Sequence, residues 1–263
     1  MEIAYKKLLE NYQPFVEYLE KCYGESDNPL YLGYQGLQGK LLQKPTILLL
    51  GYNPGCGYYN ECKLNGKLVT SQIPPNRVVP QSQLDFFKDG SRREGKWNDV
   101  NSPVKKHNQF IGKCIRILQE YSKMYNNDFD IESDEFAEWM NNNIMYANLY
   151  PFATENSGGC DKLISKLKGY KNIRNNWCFR DVYFVSPMQT FLETIRPKVV
   201  VCLGKRTFTD FTRCGADFES DKGILTLMDT KYNNVIGMVR GGKNNWNILG
   251  VSQKIVEILK SMN

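Results

Sequence analysis

Short apolar runs bounded by polar turns recur along the chain and predict the strands of a sheet. Residues 46–50 form a Thr-Ile-Leu-Leu-Leu run that stops at Gly51. An uninterrupted apolar run of this kind is typical of a strand buried on both faces, as in a parallel sheet. Similar runs predict strands at 143–149, 197–204, 224–228 and 235–239, the last two joined by a polar turn.

Other stretches carry apolar residues at helical spacing, which predicts amphipathic helices. These helices are predicted at 2–23, 107–124, 187–195, 207–214 and 248–261, with one more beginning at Ser133. Residues 1–43 are predicted to be an N-terminal helix and loop, and 158–168 a loop with a short helix. Strands that alternate with helices over the whole length predict a single α/β domain. We expect a central, mostly parallel four-stranded sheet flanked by helices.

Residues 58–104 contain no long periodic segment. An Asn-Gly pair within 63–69 predicts a β-hairpin. Prolines at 74, 75 and 80 exclude helix nearby. A loop region of this length is usually functional or mobile. We therefore interpret it as a loop-rich insert in the domain.

Composition narrows the class of protein. No apolar run approaches the ~18 residues that a membrane helix needs. Eight cysteines without a CxxC pair, and no export signal, predict reduced thiols in a cytoplasmic protein. The one histidine, His107, excludes a His-rich zinc site and weakens any Ser-His-Asp scheme, and we expect neither metal nor cofactor. Basic residues exceed acidic ones by 34 − 28 = 6, which favours a polyanionic partner without requiring one.

Polar side chains follow three of the predicted strands, at 51–55, 148–152 and 204–206. The first two place Asn53 and Asn148 at the end of a buried strand. In a parallel sheet those ends share one edge, so the two amides could face one pocket. An amide offers a donor beside an acceptor, which matches the edge of a nucleobase. Alternatively, each asparagine only satisfies carbonyl groups of its own turn.

Three segments of the chain, at 51–55, 148–152 and 197–204, together resemble the uracil-DNA glycosylase superfamily. Gly-Tyr-Asn-Pro-Gly at 51–55 resembles its first active-site motif, in the G-x-N-P-G form of the mismatch-specific and single-strand-selective branches. Asn-Leu-Tyr-Pro-Phe at 148–152 is similar to the base-recognition motif N-x-x-P-F/L, and 197–204 to the strand P-x-x-V/I-x-x-x-G. The order agrees over roughly residues 40–260. The resemblance implies a three-layer α/β sandwich and a DNA glycosylase that hydrolyses the N-glycosidic bond of a flipped base.

The resemblance also implies roles for particular residues. Asn53 would position the water that attacks C1′, and Asn148 would pair with the base edge. Tyr58 or Tyr59 would stack on the base, with Phe86 and Phe87 as alternatives, and each of these rings could equally belong to the core. The base-binding residues implied by the resemblance are Gly51, Tyr52, Gly57, Tyr58, Tyr59, Asn148 and Phe152.

The last motif departs from the superfamily, whose final core strand usually ends in His-Pro-Ser. Arg240 stands where that histidine is expected. An arginine could stabilise an anionic leaving group, bind a phosphate, or contact a substituent on an unusual base. The following loop suits close approach to DNA, with Trp246 or Lys243 filling the gap left by the flipped nucleotide, although it could equally be an exposed basic loop. The predicted DNA-binding residues are Gly241, Gly242, Lys243, Asn244, Trp246 and Lys205.

Cys22 lacks the closely spaced partner found in the iron–sulfur branches of the superfamily, so we expect no iron–sulfur cluster.

The leading hypothesis is a monofunctional DNA glycosylase acting on uracil or on a bulkier modified base, in repair or in antiviral defence. We expect a cytoplasmic monomer that binds DNA and no membrane. The alternative is a catalytically inert module that binds nucleic acid or protein. A third hypothesis, a phosphate-binding enzyme, lacks the usual glycine spacing, and Pro54 supplies no N–H group.

Overall fold

The computed structural model describes residues 1–23, 30–31, 37–38, 41–54, 63–64, 67–68, 109–124, 134–154, 156–227, 230–239 and 247–262. The chain forms two compact units, each assembled from three separate stretches. The first unit comprises Met1–Gln38, Gly51–Pro80 and Ala147–Ile195, and the second Gly39–Leu50, Gln81–Tyr146 and Arg196–Asn263. No single cut in the chain separates them, and this interleaving is consistent with the expected single domain.

The helices are α1 (Glu2–Tyr23), α2 (Gln109–Met124), α3 (Asp134–Asn143), α4 (Ser157–Tyr170), α5 (Asn176–Arg180), α6 (Ser186–Ile195), α7 (Lys205–Thr212) and α8 (Ile248–Ser261). A π-helical turn, Asp181–Val185, joins α5 to α6. The strands are β1 (Leu37–Gln38), β2 (Ile47–Gly51), β3 (Lys63–Leu64), β4 (Lys67–Leu68), β5 (Ile144–Asn148), β6 (Val199–Cys202), β7 (Glu219–Asp221), β8 (Ile224–Thr226) and β9 (Val235–Met238). The predicted α/β class is therefore confirmed.

The main sheet is mixed, with the strand order β1-β5-β2-β6-β9-β8-β7. Strands β2, β6 and β9 are parallel neighbours, whereas β8 and β7 continue the sheet antiparallel. The prediction of four strands is wrong, because in the described part of the chain six strands of three or more residues and the two-residue β1 form this sheet. Strand β7 has the sequence Glu-Ser-Asp and is fully exposed, so it joins the sheet by backbone pairing without any apolar signal.

The predicted Asn-Gly hairpin is present. Strands β3 and β4 pair antiparallel, with Lys63 opposite Leu68 and Leu64 opposite Lys67. The rest of the predicted insert at 58–104 lies outside the described residues.

The core of the second unit confirms that the central strands are buried on both faces. All residues of β2, β6 and β9 are buried. Helices α2 and α8 pack together and cover this sheet with Ile117, Leu118 and Ile255. Ser252 on α8 donates to the carbonyl group of Ile117 at 3.0 Å, which satisfies a buried hydroxyl and joins the two helices.

The core of the first unit is largely aromatic. Phe15 on α1 lies 5.1–6.5 Å from the ring centres of four aromatic neighbours. Aromatic side chains bury large apolar areas, so this cluster fixes α1 against α5 and the π-helical turn. The neighbours are Phe152, Phe179, Tyr183 and Phe184.

Helix α4 corrects the prediction of a loop with a short helix at 158–168. Its Gly-Gly pair suggests a loop, but both glycines lie in the first helical turn. Asn156 caps that turn by accepting a hydrogen bond from Gly159 N at 2.9 Å. The buried face, Cys160, Leu163, Ile164 and Leu167, has helical spacing.

Gly237 on β9 allows a close approach of α7. A Cβ atom at this position would lie 2.6–2.8 Å from three atoms of the buried Phe208 side chain. The Gly237→Ala variant should therefore lower the free energy of unfolding by about 1–3 kcal/mol, as overpacking does. Gly169→Ala is the matched control, because nothing lies within 4 Å of its added Cβ. Chemical denaturation should show a control that is unchanged or up to about 1 kcal/mol more stable. Equal effects would contradict the packing argument.

Candidate active site at the ends of β2 and β5

The structure brings together two of the predicted motifs, the turn after β2 and the turn after β5. Both lie in the first unit and run side by side, joined by backbone hydrogen bonds. The bonds run from Leu149 N to Gly51 O (2.9 Å), from Tyr150 N to Tyr52 O (2.9 Å) and from Thr154 N to Pro54 O (3.2 Å). The relative position of the two turns is therefore set by the backbone, before any side chain contributes.

Asn53 adds a second connection between the turns through its side chain. Its Nδ2 donates to Pro54 O at 2.8 Å, to Thr154 Oγ1 at 3.0 Å and, more weakly, to Phe152 O at 3.4 Å. Two of these acceptors are carbonyl groups, which cannot donate, so the nitrogen of the amide must face them. The contact with Pro54 is the local one expected of a turn asparagine, whereas the other two reach the second motif.

This orientation turns the amide oxygen of Asn53 away from the bonded carbonyl groups. Among the described residues, the hydrogen bonds of Asn53 all use Nδ2. Its side chain is only half-buried. An amide oxygen held in a fixed direction can accept a hydrogen bond from a water molecule and thereby orient it.

Thr154 helps to fix this orientation of the Asn53 amide. Its side chain is fully buried, and its hydroxyl donates to Asn156 O at 2.6 Å while accepting from Asn53. Asn156 in turn caps α4. Since the threonine proton is committed to Asn156, the hydroxyl can only accept from Asn53. The amide of Asn53 is thus anchored to the first turn of a fourteen-residue helix.

Tyr52 belongs to a partly buried polar cluster that the sequence did not predict. Its hydroxyl accepts from Arg180 at 2.8 Å and donates to Asp161 at 2.9 Å. Arg180 and Asp161 also form an ion pair at 2.7 Å, with side chains 8% and 33% exposed. The three groups close a ring of charge-assisted hydrogen bonds directly beside Asn53 in the chain.

Tyr150 packs against this cluster. Its ring centre lies 4.8 Å from that of Tyr52 and 5.0 Å from the guanidinium carbon of Arg180. Burial opposes the charge on Arg180, but the neighbouring tyrosines and Asp161 outweigh it, so the pKa of the guanidinium lies above its ordinary value. Arg180 therefore stays charged and holds Tyr52 in place.

The other predicted base-binding residues of the described region are buried. Gly51 is buried, with its carbonyl bonded to Leu149. Asn148, the last residue of β5, is 0% exposed, so contact with a base would require movement of the residues that cover it. Phe152 is also 0% exposed and lies edge-on to Phe15 and Phe184 in the aromatic core. Their base-binding roles stay predictions.

Several predicted site residues lie outside the described residues. These are Gly57, Tyr58, Tyr59, Phe86, Phe87, Arg240, Gly241, Gly242, Lys243, Asn244 and Trp246. Lys205 is described and belongs to the second unit, at the start of α7. Its ammonium group lies 4.9 Å from the ring centre of Phe218. Its DNA-binding role stays a prediction.

Comparison with known protein families and with curated proteins finds no match to this chain. Among the described residues, no helix has both the length and the apolar character needed to cross a membrane. The same part of the chain holds no group of three or more His, Cys, Asp or Glu side chains placed to bind a metal ion.

Proposed function

We propose that this protein is a monofunctional DNA glycosylase, which hydrolyses the N-glycosidic bond of a flipped base and leaves an abasic site. The orientation of Asn53 carries the proposal. Its amide nitrogen is bonded to Pro54 and Thr154, and its amide oxygen is left to hold a water molecule. A binding module needs no such arrangement at the end of a strand.

The chemistry follows from the weakness of an amide as a base. Asn53 cannot deprotonate water strongly, so the C1′–N bond must break early, through a sugar with oxocarbenium character. The water held by Asn53 then adds its oxygen to C1′ and releases its proton, while the base leaves with the bonding electrons and is protonated. Arg240, by its charge, would stabilise the departing base.

The resemblance favours uracil as the substrate base. The arginine at position 240 and the long insert at 58–104 also suit a bulkier modified pyrimidine. In the first case the enzyme would serve repair, and in the second defence against a virus with modified DNA. The alternative function is a catalytically inert nucleic-acid-binding module, which the missing histidine favours.

A screen of base-modified oligonucleotides tests the proposal. Single-stranded and duplex DNA containing uracil, a mismatched base, hydroxymethylcytosine or glucosylated cytosine would be incubated with the enzyme and then treated with alkali, which cleaves abasic sites. We expect cleavage at one class of modified base. Absence of cleavage across the whole panel would favour the inert module.

Arg240→Ala separates two roles of this arginine. If Arg240 stabilises the leaving group, the variant should lose at least about a hundredfold in turnover, as loss of one oxyanion-stabilising group does, with little change in DNA affinity. Single-turnover rates and binding to the unmodified oligonucleotide give the two values. An equal loss in both would assign Arg240 to phosphate binding.

A further inference from the structure

One segment of the first unit is basic and contains no acidic residue of its own. Between Asp161 and Asp181 the sequence contains no acidic residue. Lys166 and Arg174 are exposed and, within the described part of the chain, form no ion pair. Leaving aside the buried Arg180, the basic residues of this segment are Lys162, Lys166, Lys168, Lys171 and Arg174. We call residues 162–178 the basic segment.

The backbone of the basic segment is fixed by hydrogen bonds. Asn172 adopts the left-handed conformation that ends a helix (φ 53°). Ile173 N donates to Lys168 O at 3.1 Å and Asn172 N to Gly169 O at 3.0 Å, the pattern of a Schellman motif. Asn175 then caps α5 by accepting from Cys178 N at 3.0 Å. The segment therefore presents its side chains from a rigid turn between two helices.

Two large rings of the basic segment face solvent. Tyr170 is 47% exposed and Trp177 is 40% exposed. Tyr170 stacks on Tyr18 of α1, with ring centres 4.2 Å apart and planes 21° from parallel. The ammonium group of Lys171 lies 5.2 Å from the Tyr170 ring centre, which further fixes that ring. An exposed ring that is held in this way, as Tyr170 is, loses little freedom when a partner stacks on it.

We propose that the basic segment binds single-stranded nucleic acid, with Lys166 and Arg174 contacting phosphates and Trp177 and Tyr170 stacking on unpaired bases. Basic side chains interleaved with exposed aromatic rings are the combination that single strands require. Base-paired DNA offers the phosphates but not the faces of its bases. A membrane would need a continuous apolar face, whereas the exposed residues of the segment between the two rings are polar.

This inference extends the proposed function with a second DNA contact, apart from the turn that carries Asn53. It does not depend on catalysis, because the surface binds strands that contain no excisable base. An enzyme that excises a base from a displaced or unpaired strand would gain affinity from it.

Binding of a fluorescent thymine oligonucleotide, followed by anisotropy over a range of salt concentrations, tests the inference. Trp177→Ala should weaken binding about tenfold, within the range for loss of one stacked base. The Lys166→Gln/Arg174→Gln double variant should lower the slope of log affinity against log salt by about 1.4, since each phosphate contact on a single strand contributes about 0.7. Lys198→Gln/Lys260→Gln, which removes the same charge from exposed positions of the second unit, is the control.

The inference stands if the thymine oligonucleotide binds and the substitutions in the basic segment weaken that binding or lower its salt dependence, while the control substitutions do neither. It is overturned if all variants bind alike, if the control loses as much, or if duplex DNA or phosphatidylserine vesicles bind in preference through the same residues. Abasic-site formation is read separately. Strand binding without excision would reject only the proposed function, and excision with a basic segment that does not bind would reject only this inference.

Discussion

The Asn53→Ala variant is expected to form abasic sites at least about a hundredfold more slowly than the wild type. Without the amide, the attacking water loses its fixed direction, and a displacement of about 1 Å in a reacting group can cost this factor. The affinity for the oligonucleotide should hardly change, because Asn53 contacts water and not DNA in this mechanism. Single-turnover kinetics on the substrate found in the screen gives the rate, and anisotropy gives the affinity.

Thr154→Val is a milder variant that tests the same role of Asn53. Valine keeps the shape of the buried side chain but cannot accept the hydrogen bond from Asn53 Nδ2. We expect a loss of about tenfold in the single-turnover rate, since this bond positions the amide without contacting the water. Full activity in both variants would contradict the role of Asn53. Loss of DNA binding in step with the rate would make Asn53 a binding residue.

Asp161→Ala is expected to lower the free energy of unfolding by about 2–4 kcal/mol. Its carboxylate accepts from both Tyr52 and Arg180, and Arg180 is only 8% exposed in its side chain. Breaking a buried ion pair by removing one partner costs about 3–5 kcal/mol, and the 33% exposure of Asp161 lowers that figure. Urea denaturation measures the loss.

Two further variants show whether burial is the cause. Glu257→Ala breaks an ion pair of similar length, 3.0 Å, whose side chains are 40% and 64% exposed. It should cost at most about 1 kcal/mol. Arg180→Met should cost less than Asp161→Ala, because the remaining carboxylate is partly hydrated and methionine restores apolar packing. A loss at Glu257 as large as that at Asp161 would contradict the account.

The predicted elements that match the structure owe their success to burial. Strand β2 buries an uninterrupted apolar run, and helices α1 and α8 bury apolar side chains at helical spacing. The sequence displays both patterns directly. Strand β7 has no buried side chain, so no hydrophobic pattern could reveal it. The prediction lacks β7 for that reason, because backbone pairing does not depend on the identity of exposed side chains.

Some residues of the candidate site could likewise be predicted from the sequence, and others could not. Asn53 and Asn148 could be found because each directly follows or ends a buried strand, and neighbouring parallel strands end at one edge. Asp161 and Arg180 lie 109 and 128 residues from Tyr52 along the chain, and neither belongs to a motif. Only folding brings them to the tyrosine hydroxyl. The adjacent charged residues Arg180 and Asp181, inside the otherwise apolar run at 177–185, were the available signal.

Asn53 makes one of the hydrogen bonds expected if it only satisfied carbonyl groups of its own turn. The bond to Pro54 is what an asparagine that merely completes its own turn would make. The bonds to Thr154 and Phe152 go beyond that, because they join the turn to the second motif. This difference is the physical reason for proposing the turn as a candidate active site and not only as the end of a strand.

Mass spectrometry of an oligonucleotide incubated with the wild-type protein and with Asn53→Ala tests the central claim most directly. The wild-type protein should release free base and leave an intact strand that has lost one base and gained one water. The Asn53→Ala variant should not. An unchanged strand for every base in the panel, or equal release by both proteins, would contradict it.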